Sequence, residues 1–212
     1  MRYDSYRYLY PPRPDMAVAA ATLPLLEIEG AWAQAKMNGT CCVIFVPPDG
    51  KAFALGRHGP DNRLQWQPGT RWEAFQARFP GAGWYVLVGE LLHSKGVGVR
   101  DTVYLFDLLV DDGEYLVGQT YRERYLRLRR LCGKPELVSE THGLIREGIW
   151  LAFNRTRGFA KWFAEIGAAP GSPMIEGLVF KSPDTKLKLC GRPKANSVGQ
   201  HKCRRPTANL SF

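Results

Sequence analysis

Lys36 lies in the stretch AQAKMNGT, two residues before an Asn-Gly pair that signals a turn. A lysine beside a turn is a solvated surface group unless the rest of the chain supplies partners. Glu90 follows Val86 and Val88 at period two, which gives it their face of a strand. Glu176 shares parity with Leu178 and Phe180 in MIEGLVF, and Lys186 and Lys188 alternate with Leu187 and Leu189. Singly, each has a plain explanation: a strand-end carboxylate, a surface ion pair, a lysine facing water. Together they are charges on apolar strands, which must be paired or ion-bound to offset their desolvation. One chemistry uses the whole set. A lysine becomes a nucleophile when neighbouring cations or desolvation favour its neutral form. Attack on a nucleotide α-phosphate builds negative charge that lysines and a divalent cation neutralise, and carboxylates hold that cation. A purine base needs an apolar or aromatic surface beside it.

These residues must be positioned by strands and a few helices. CCVIFVPPDGKAFALG (41–56) reads as a hairpin around Pro-Asp-Gly. WYVLVGELL (84–92) and TVYLFDLLV (102–110) read as core strands, and MIEGLVFK and TKLKLC as two more beyond them. GTRWEAFQARFP has capping-box spacing at Thr70 and Glu73, an apolar stripe of Trp72, Phe75 and Phe79, and Pro80 as a stop. A second helix carries Tyr121, Tyr125, Leu128 and Cys132 on one stripe, with its arginines mostly elsewhere. A third, near GFAKWFAEIG, presents Phe159, Trp162, Phe163 and Ile166. The first 22 residues read as an irregular arm. The expected class is α+β with mainly antiparallel sheets, because the hairpins leave little room for helical crossovers.

The 212-residue length suits one domain with a proper core. No apolar run approaches the ~20 residues that cross a bilayer, and the N-terminus has charges and prolines where a signal peptide needs an apolar segment. The reading is a soluble, cytoplasmic chain with no membrane partner. Five cysteines without a CxxC pair argue for reduced thiols over a disulfide scaffold; Cys190, His201 and Cys203 offer three metal ligands without an evident fourth. The net charge is +9, and no acidic residue follows Asp184. Arg192, Lys194, Lys202, Arg204 and Arg205 of that basic segment are candidates for contacting nucleic acid. The arginines at 122–130 suit either phosphate contacts or a solvated helix face.

The ordered elements KMNG (36–39), LGRHG (55–59), LVGELL, YLFDLL, EGLVFK (176–181) and KLK (186–188) resemble the six motifs of the covalent nucleotidyltransferase superfamily. That superfamily comprises ATP-dependent DNA ligases, RNA ligases and mRNA capping enzymes. The resemblance implies an ATP-grasp-like nucleotidyltransferase domain over residues 1–190, including the arm, followed by a basic tail at 191–212. It implies Lys36 as the nucleophile on ATP, forming lysyl-AMP, with Asn38 and Gly39 completing the nucleotide motif. It makes Gln34 the candidate for reading the adenine edge, Arg57 and Glu90 the ribose and orientation residues, and Phe106 the ring on adenine. Glu176, with Glu90, would hold Mg²⁺ or Mn²⁺, and Lys186 and Lys188 would neutralise the α-phosphate. Lys181 is the weaker candidate, because its parity opposes that of Glu176. AMP would pass to a nucleic-acid 5′-phosphate before a 3′-hydroxyl seals the nick or break, in DNA slightly ahead of RNA, with the protein a monomer.

Two departures bear on substrate. Asn38 stands where the motif usually has aspartate, and Cys41 where DNA ligases often carry arginine. The 24 residues after Lys188 are too few for the usual OB-fold domain, which implies a minimal ligase, a partner-dependent one, or a catalytic domain alone. RNA ligase is the nearest alternative, then a GTP-using capping guanylyltransferase, then a non-catalytic nucleic-acid-binding module.

Overall fold

The computed structural model describes residues 8–49, 51–59, 64, 66, 69–92, 99–168, 174–189 and 196–205. Two sheets form the frame. The larger is built from β3 (Thr40–Val46), β4 (Phe53–Gly56), β5 (Tyr85–Leu92), β6 (Thr102–Asp111), β7 (Glu114–Tyr115), β8 (Glu136–Leu137), β9 (His142–Arg146) and β10 (Ile149–Ala152). Its order is β4-β3-β5-β6-β10-β9-β8, with β7 on β6. The smaller has the order β1-β12-β11-β2, from β1 (Met16–Ala17), β2 (Trp32–Met37), β11 (Ile175–Lys181) and β12 (Gln200–Arg204). Pairing is antiparallel except for β6 with β10 and β1 with β12. The α+β, mainly antiparallel class expected from the sequence is what the chain adopts, and the described residues contain no OB-fold.

Asn38 and Gly39 do more than close a hairpin: they carry the chain from β2 in the small sheet to β3 in the large one. A Cβ at Gly39 would lie 2.5 Å from the Leu91 carbonyl and 2.8 Å from Glu90 Cγ. Only glycine lets the two sheets meet this closely behind Lys36.

The hairpin, both core strands and the strand 175–181 form where the apolar patterning places them. β5 and β6 are buried along nearly their whole length, as central strands covered on both faces must be. Against the large sheet packs α3 (Tyr121–Cys132), with Tyr121, Tyr125, Leu128 and Cys132 buried. Thr120 and Glu123 close a capping box at its start. Arg124 departs from the solvated arginines expected there. It is buried and makes a two-pronged ion pair with Asp107 of β6, both bonds at 2.9 Å. α2 (Gly69–Gln76) contributes buried Trp72 and Phe75, while the side chain of Thr70, its expected cap, lies outside the described residues. α1 (Leu23–Ile28) and α4 (Phe159–Ala168) cover the small sheet, where Leu23, Phe159, Trp162 and Ile166 share a core with Leu178 and Phe180.

Two sequence readings are corrected. The described part of TKLKLC, residues 185–189, is not a strand: beyond β11 the chain turns, and 185–187 hydrogen-bonds along 118–121 at the start of α3. Leu187 is buried there, whereas Leu189 is exposed. Part of the segment read as a basic tail is β12, paired antiparallel with β11 from Lys181↔Gln200 to Gly177↔Arg204. The arm packs against the body, as expected, with Leu9 and Tyr10 buried, and adds the short strand β1 laid along β12. Four described cysteines are free thiols; Cys190 lies outside the described residues. Among the described residues, no group of three His, Cys, Asp or Glu side chains is placed to hold a metal, and no helix is long and apolar enough to cross a membrane.

Candidate active site

A cleft of about 550 Å³ lies between the sheets. β2 supplies Gln34 and Lys36 on one face, two residues apart as strand alternation requires. β11 supplies Glu176 and Lys181, β12 supplies Lys202 and Arg204, and the large sheet contributes Arg57, Glu90 and Phe106. Lys36 Nζ donates to Glu176 Oε2 at 2.6 Å, and Arg204 Nε lies 3.4 Å from the same oxygen.

Glu176 and Lys181 are five residues apart, so unbroken alternation would put them on opposite faces. A bulge resolves the conflict. The β11–β2 register shifts between Ile175 and Gly177, and Gly177 has φ of +144°. The extra residue turns Glu176 away from the face of Leu178 and Phe180, which remain in the core, and into the cleft beside Lys181. A Cβ on Gly177 would collide with the Cys203 carbonyl, so the bulge requires glycine.

Lys181 is 5% exposed. Its Nζ sits 4.5 Å from the Phe106 ring centre and 4.4 Å from that of Tyr121. Burial lowers its ammonium pKa to about 7, against the opposing pull of Asp107. Glu90 moves the other way: burial, with the neighbouring Glu176 charge, raises its carboxyl to about 7. Lys36, the Gly39 backbone N–H and Arg57 restrain that rise. The Cys41 thiol also lines the cleft, but burial and Glu90 push it up to about 12, so it remains protonated and does not compete as a nucleophile. Gln34 is 2% exposed, and its Nε2 is buried with no hydrogen-bond partner among the described residues. A buried amide donor left open in a cleft is costly unless a ligand completes it.

Lys186 and Lys188 are exposed and do not line this cleft. The segment that carries them crosses to α3, and the Lys188 N–H donates to Asn196 Oδ1 at 2.7 Å. The alternating basic pair facing Lys36 is instead Lys202 and Arg204, with Cys203 between them pointing into the core. The sequence holds a signal for them, since K-C-R repeats the alternation of K-L-K; pairing with β11 is what distinguishes the two. Asn38 sits at the turn, its N–H donating to the Met174 carbonyl at 2.8 Å. Arg205 continues from β12, its N–H donating to the Glu176 carbonyl at 2.9 Å. Arg192 and Lys194 lie outside the described residues.

This pair of sheets with a cleft between them is the nucleotidyltransferase fold of ATP-dependent ligases. No protein-family model and no curated protein matches the sequence. Solved structures match the fold. Mycobacterial DNA ligase D complexed with ATP and MES gives a TM-score of 0.65 at 18% identity, over 95% of this chain and 62% of that one. The ATP-dependent DNA ligase from bacteriophage T7 in complex with ATP gives 0.55 at 15% identity, over 92% and 68% of the two chains. A Lig E DNA ligase gives 0.52 at 14%, over 95% and 70%. The chain thus spans less than two thirds of the ligase D structure.

Proposed function

We propose that this chain is the adenylyltransferase unit of an ATP-dependent polynucleotide ligase, with Lys36 as its nucleophile. The carrying observation is Lys36 Nζ at 2.6 Å from Glu176, inside a cleft that also holds the open Gln34 amide and an excess of cations. The neutral Lys36 amine attacks the α-phosphorus of ATP. An N–P bond forms as the P–O bond to pyrophosphate breaks, and the departing lysine proton has an acceptor in the adjacent Glu176 carboxylate. Gln34 donates to the base edge, Phe106 walls it, and Arg57 with Glu90 orients the sugar. Lys202 and Arg204 neutralise charge that develops on the α-phosphate, the role the family resemblance implied for Lys186 and Lys188. Lys181 adds its ammonium from beneath Phe106.

The donor set fits a divalent cation of the Mg²⁺ type. Two carboxylates, one of them pushed up by burial and by the other's charge, suit an ion that draws its remaining oxygens from substrate and water. Glu176 and Glu90 would hold it, and it would supply charge neutralisation at the phosphates.

Lys36 then gives up AMP to a 5′-phosphate, and a 3′-hydroxyl displaces AMP to form the phosphodiester. DNA is supported as substrate by the ligase structures that share the fold. The test is incubation with Mg²⁺ and labelled ATP or GTP, followed by intact-mass measurement and then a nicked duplex. An acid-labile AMP adduct that disappears in Lys36→Ala supports the reading. A GMP adduct moves the chain to capping chemistry, and nucleic-acid binding without any adduct refutes catalysis by Lys36.

A further inference from the structure

The N-terminal arm crosses the mouth of the cleft. The Tyr8 hydroxyl donates to the Arg57 carbonyl, tying the arm to the large sheet at the end of β4. The Tyr10 carbonyl accepts from Asn196 at 3.3 Å, and β1 pairs with β12 through Met16↔His201 and Ala17↔Lys202. Between these anchors runs Pro11-Pro12-Arg13-Pro14, all four lining the same cleft as Lys36. Three prolines fix φ, so this strap has little conformational freedom to lose on closing over a ligand.

Arg13 is the charge that the strap delivers. One guanidinium nitrogen, Nη2, reaches Asp15 at 3.3 Å near solvent. Nε is buried and has no hydrogen-bond partner among the described residues. A buried guanidinium donor without an acceptor is expensive unless an anion completes it.

The row of charges gives the direction. Across the small sheet run Lys36 on β2, Glu176 on β11, and Lys202 with Arg204 on β12, with Arg13 beyond them. β2 and β12 are two strand spacings apart, about 10 Å. Burial, together with Arg204, Lys36 and Arg13, lowers the Lys202 pKa, so these cations act on one another. A nucleotide whose base lies at Gln34 and whose α-phosphate lies at Lys36 would lead its remaining phosphates along this row.

We propose that Arg13, presented by the proline strap, binds the terminal phosphates of the nucleoside triphosphate, the portion that leaves as pyrophosphate. The assignment deepens the adenylylation reading above and rests on it. Arg13 supplies charge-assisted hydrogen bonds to the leaving group as the bond to the α-phosphorus breaks, and has no part in the later steps, where no pyrophosphate leaves.

Arg13→Ala and Arg13→Lys would be compared with the unaltered chain, with melting temperatures confirming that each variant folds. Arg13→Ala should weaken binding of inorganic tripolyphosphate and slow lysyl-AMP formation from ATP, each by about 10- to 100-fold. AMP binding should be retained, as should closure of a nick already carrying the 5′-adenylate. Arg13→Lys should fall between. Equal loss of AMP and tripolyphosphate binding would make the strap a structural brace and overturn the assignment, as would unchanged tripolyphosphate affinity. If the unaltered chain forms no adduct, the ligase reading fails, while the tripolyphosphate measurement still decides the fate of Arg13.

Discussion

Lys181 gives the most quantitative test of the structure. Its pKa is about 7 in the folded protein against an ordinary 10.5, so unfolding takes up a proton anywhere between those pH values. The sign follows: as pH falls through that window the unfolded state gains, and the folded state loses about 1.4 kcal/mol per pH unit. The full window amounts to about 5 kcal/mol, reached near pH 7 and constant below it. The Phe106 and Tyr121 rings return part of this, since each cation–π contact favours the ammonium by about 0.5–2 kcal/mol. The expected net is therefore about 3 kcal/mol. Lys181→Met keeps an unbranched, flexible side chain one atom shorter and removes the charge. Urea unfolding of both proteins from pH 6 to pH 10 should show the variant more stable by about 3 kcal/mol at pH 6, with the gap closing toward pH 10. Groups common to both proteins cancel in the difference. A gap that does not change with pH, or an unaltered chain that is the more stable at pH 6, would refute the buried, charge-penalised lysine.

Glu90→Gln should stabilise the protein above pH 7, where the native carboxylate is ionised against its burial, and change little at pH 4, where both forms are neutral; thermal melts at the two pH values check this. Removing one half of the Asp107–Arg124 pair, as in Arg124→Met, should cost about 3–5 kcal/mol in urea unfolding, and Arg124→Met with Asp107→Leu should recover much of it. Gly177→Ala should cost about 1–3 kcal/mol and abolish the AMP adduct, because the bulge that turns Glu176 into the cleft cannot form. Lys202→Ala and Arg204→Ala should each slow adduct formation by about 10- to 1,000-fold, whereas Lys186→Ala and Lys188→Ala should keep near-native rates in the same mass-based assay.

Patterning reveals most of the scaffold in advance. β3, β5 and β6 are runs of apolar and β-branched residues, and the buried stripes of α3 and α4 stand at helical spacing. Lys36, Glu90 and Glu176 stand out because charges interrupt such runs. The rest depended on contacts that sequence spacing cannot carry. Parity counting assumes an unbroken ladder, so it gave Glu176 the core face and demoted Lys181; one bulged residue reversed both. β12 reads QHKCR, with Cys203 alone to mark its inner face, and only its pairing with β11 identifies it as a strand. Arg124 resembles its solvated neighbours until Asp107, on another element, accepts it. Arg13 gave no signal at all, since an arginine among prolines is ordinary until an arm folds back over a cleft.

The groups proposed to react are divided between two sheets, and this division has a mechanical consequence. Lys36, Glu176, Lys202 and Arg204 ride on one layer, while Arg57, Glu90 and Phe106 ride on the other. On the proposed reading the gap between the layers is a caliper on the nucleotide, set partly by Leu92 of the large sheet packed in the same core as Phe180 of the small one. Interiors this dense transmit displacement rather than absorb it. Trimming Leu92 or Phe180, or squeezing the protein under hydrostatic pressure, would reset the jaws and alter the grip on nucleotide without changing any residue that faces it.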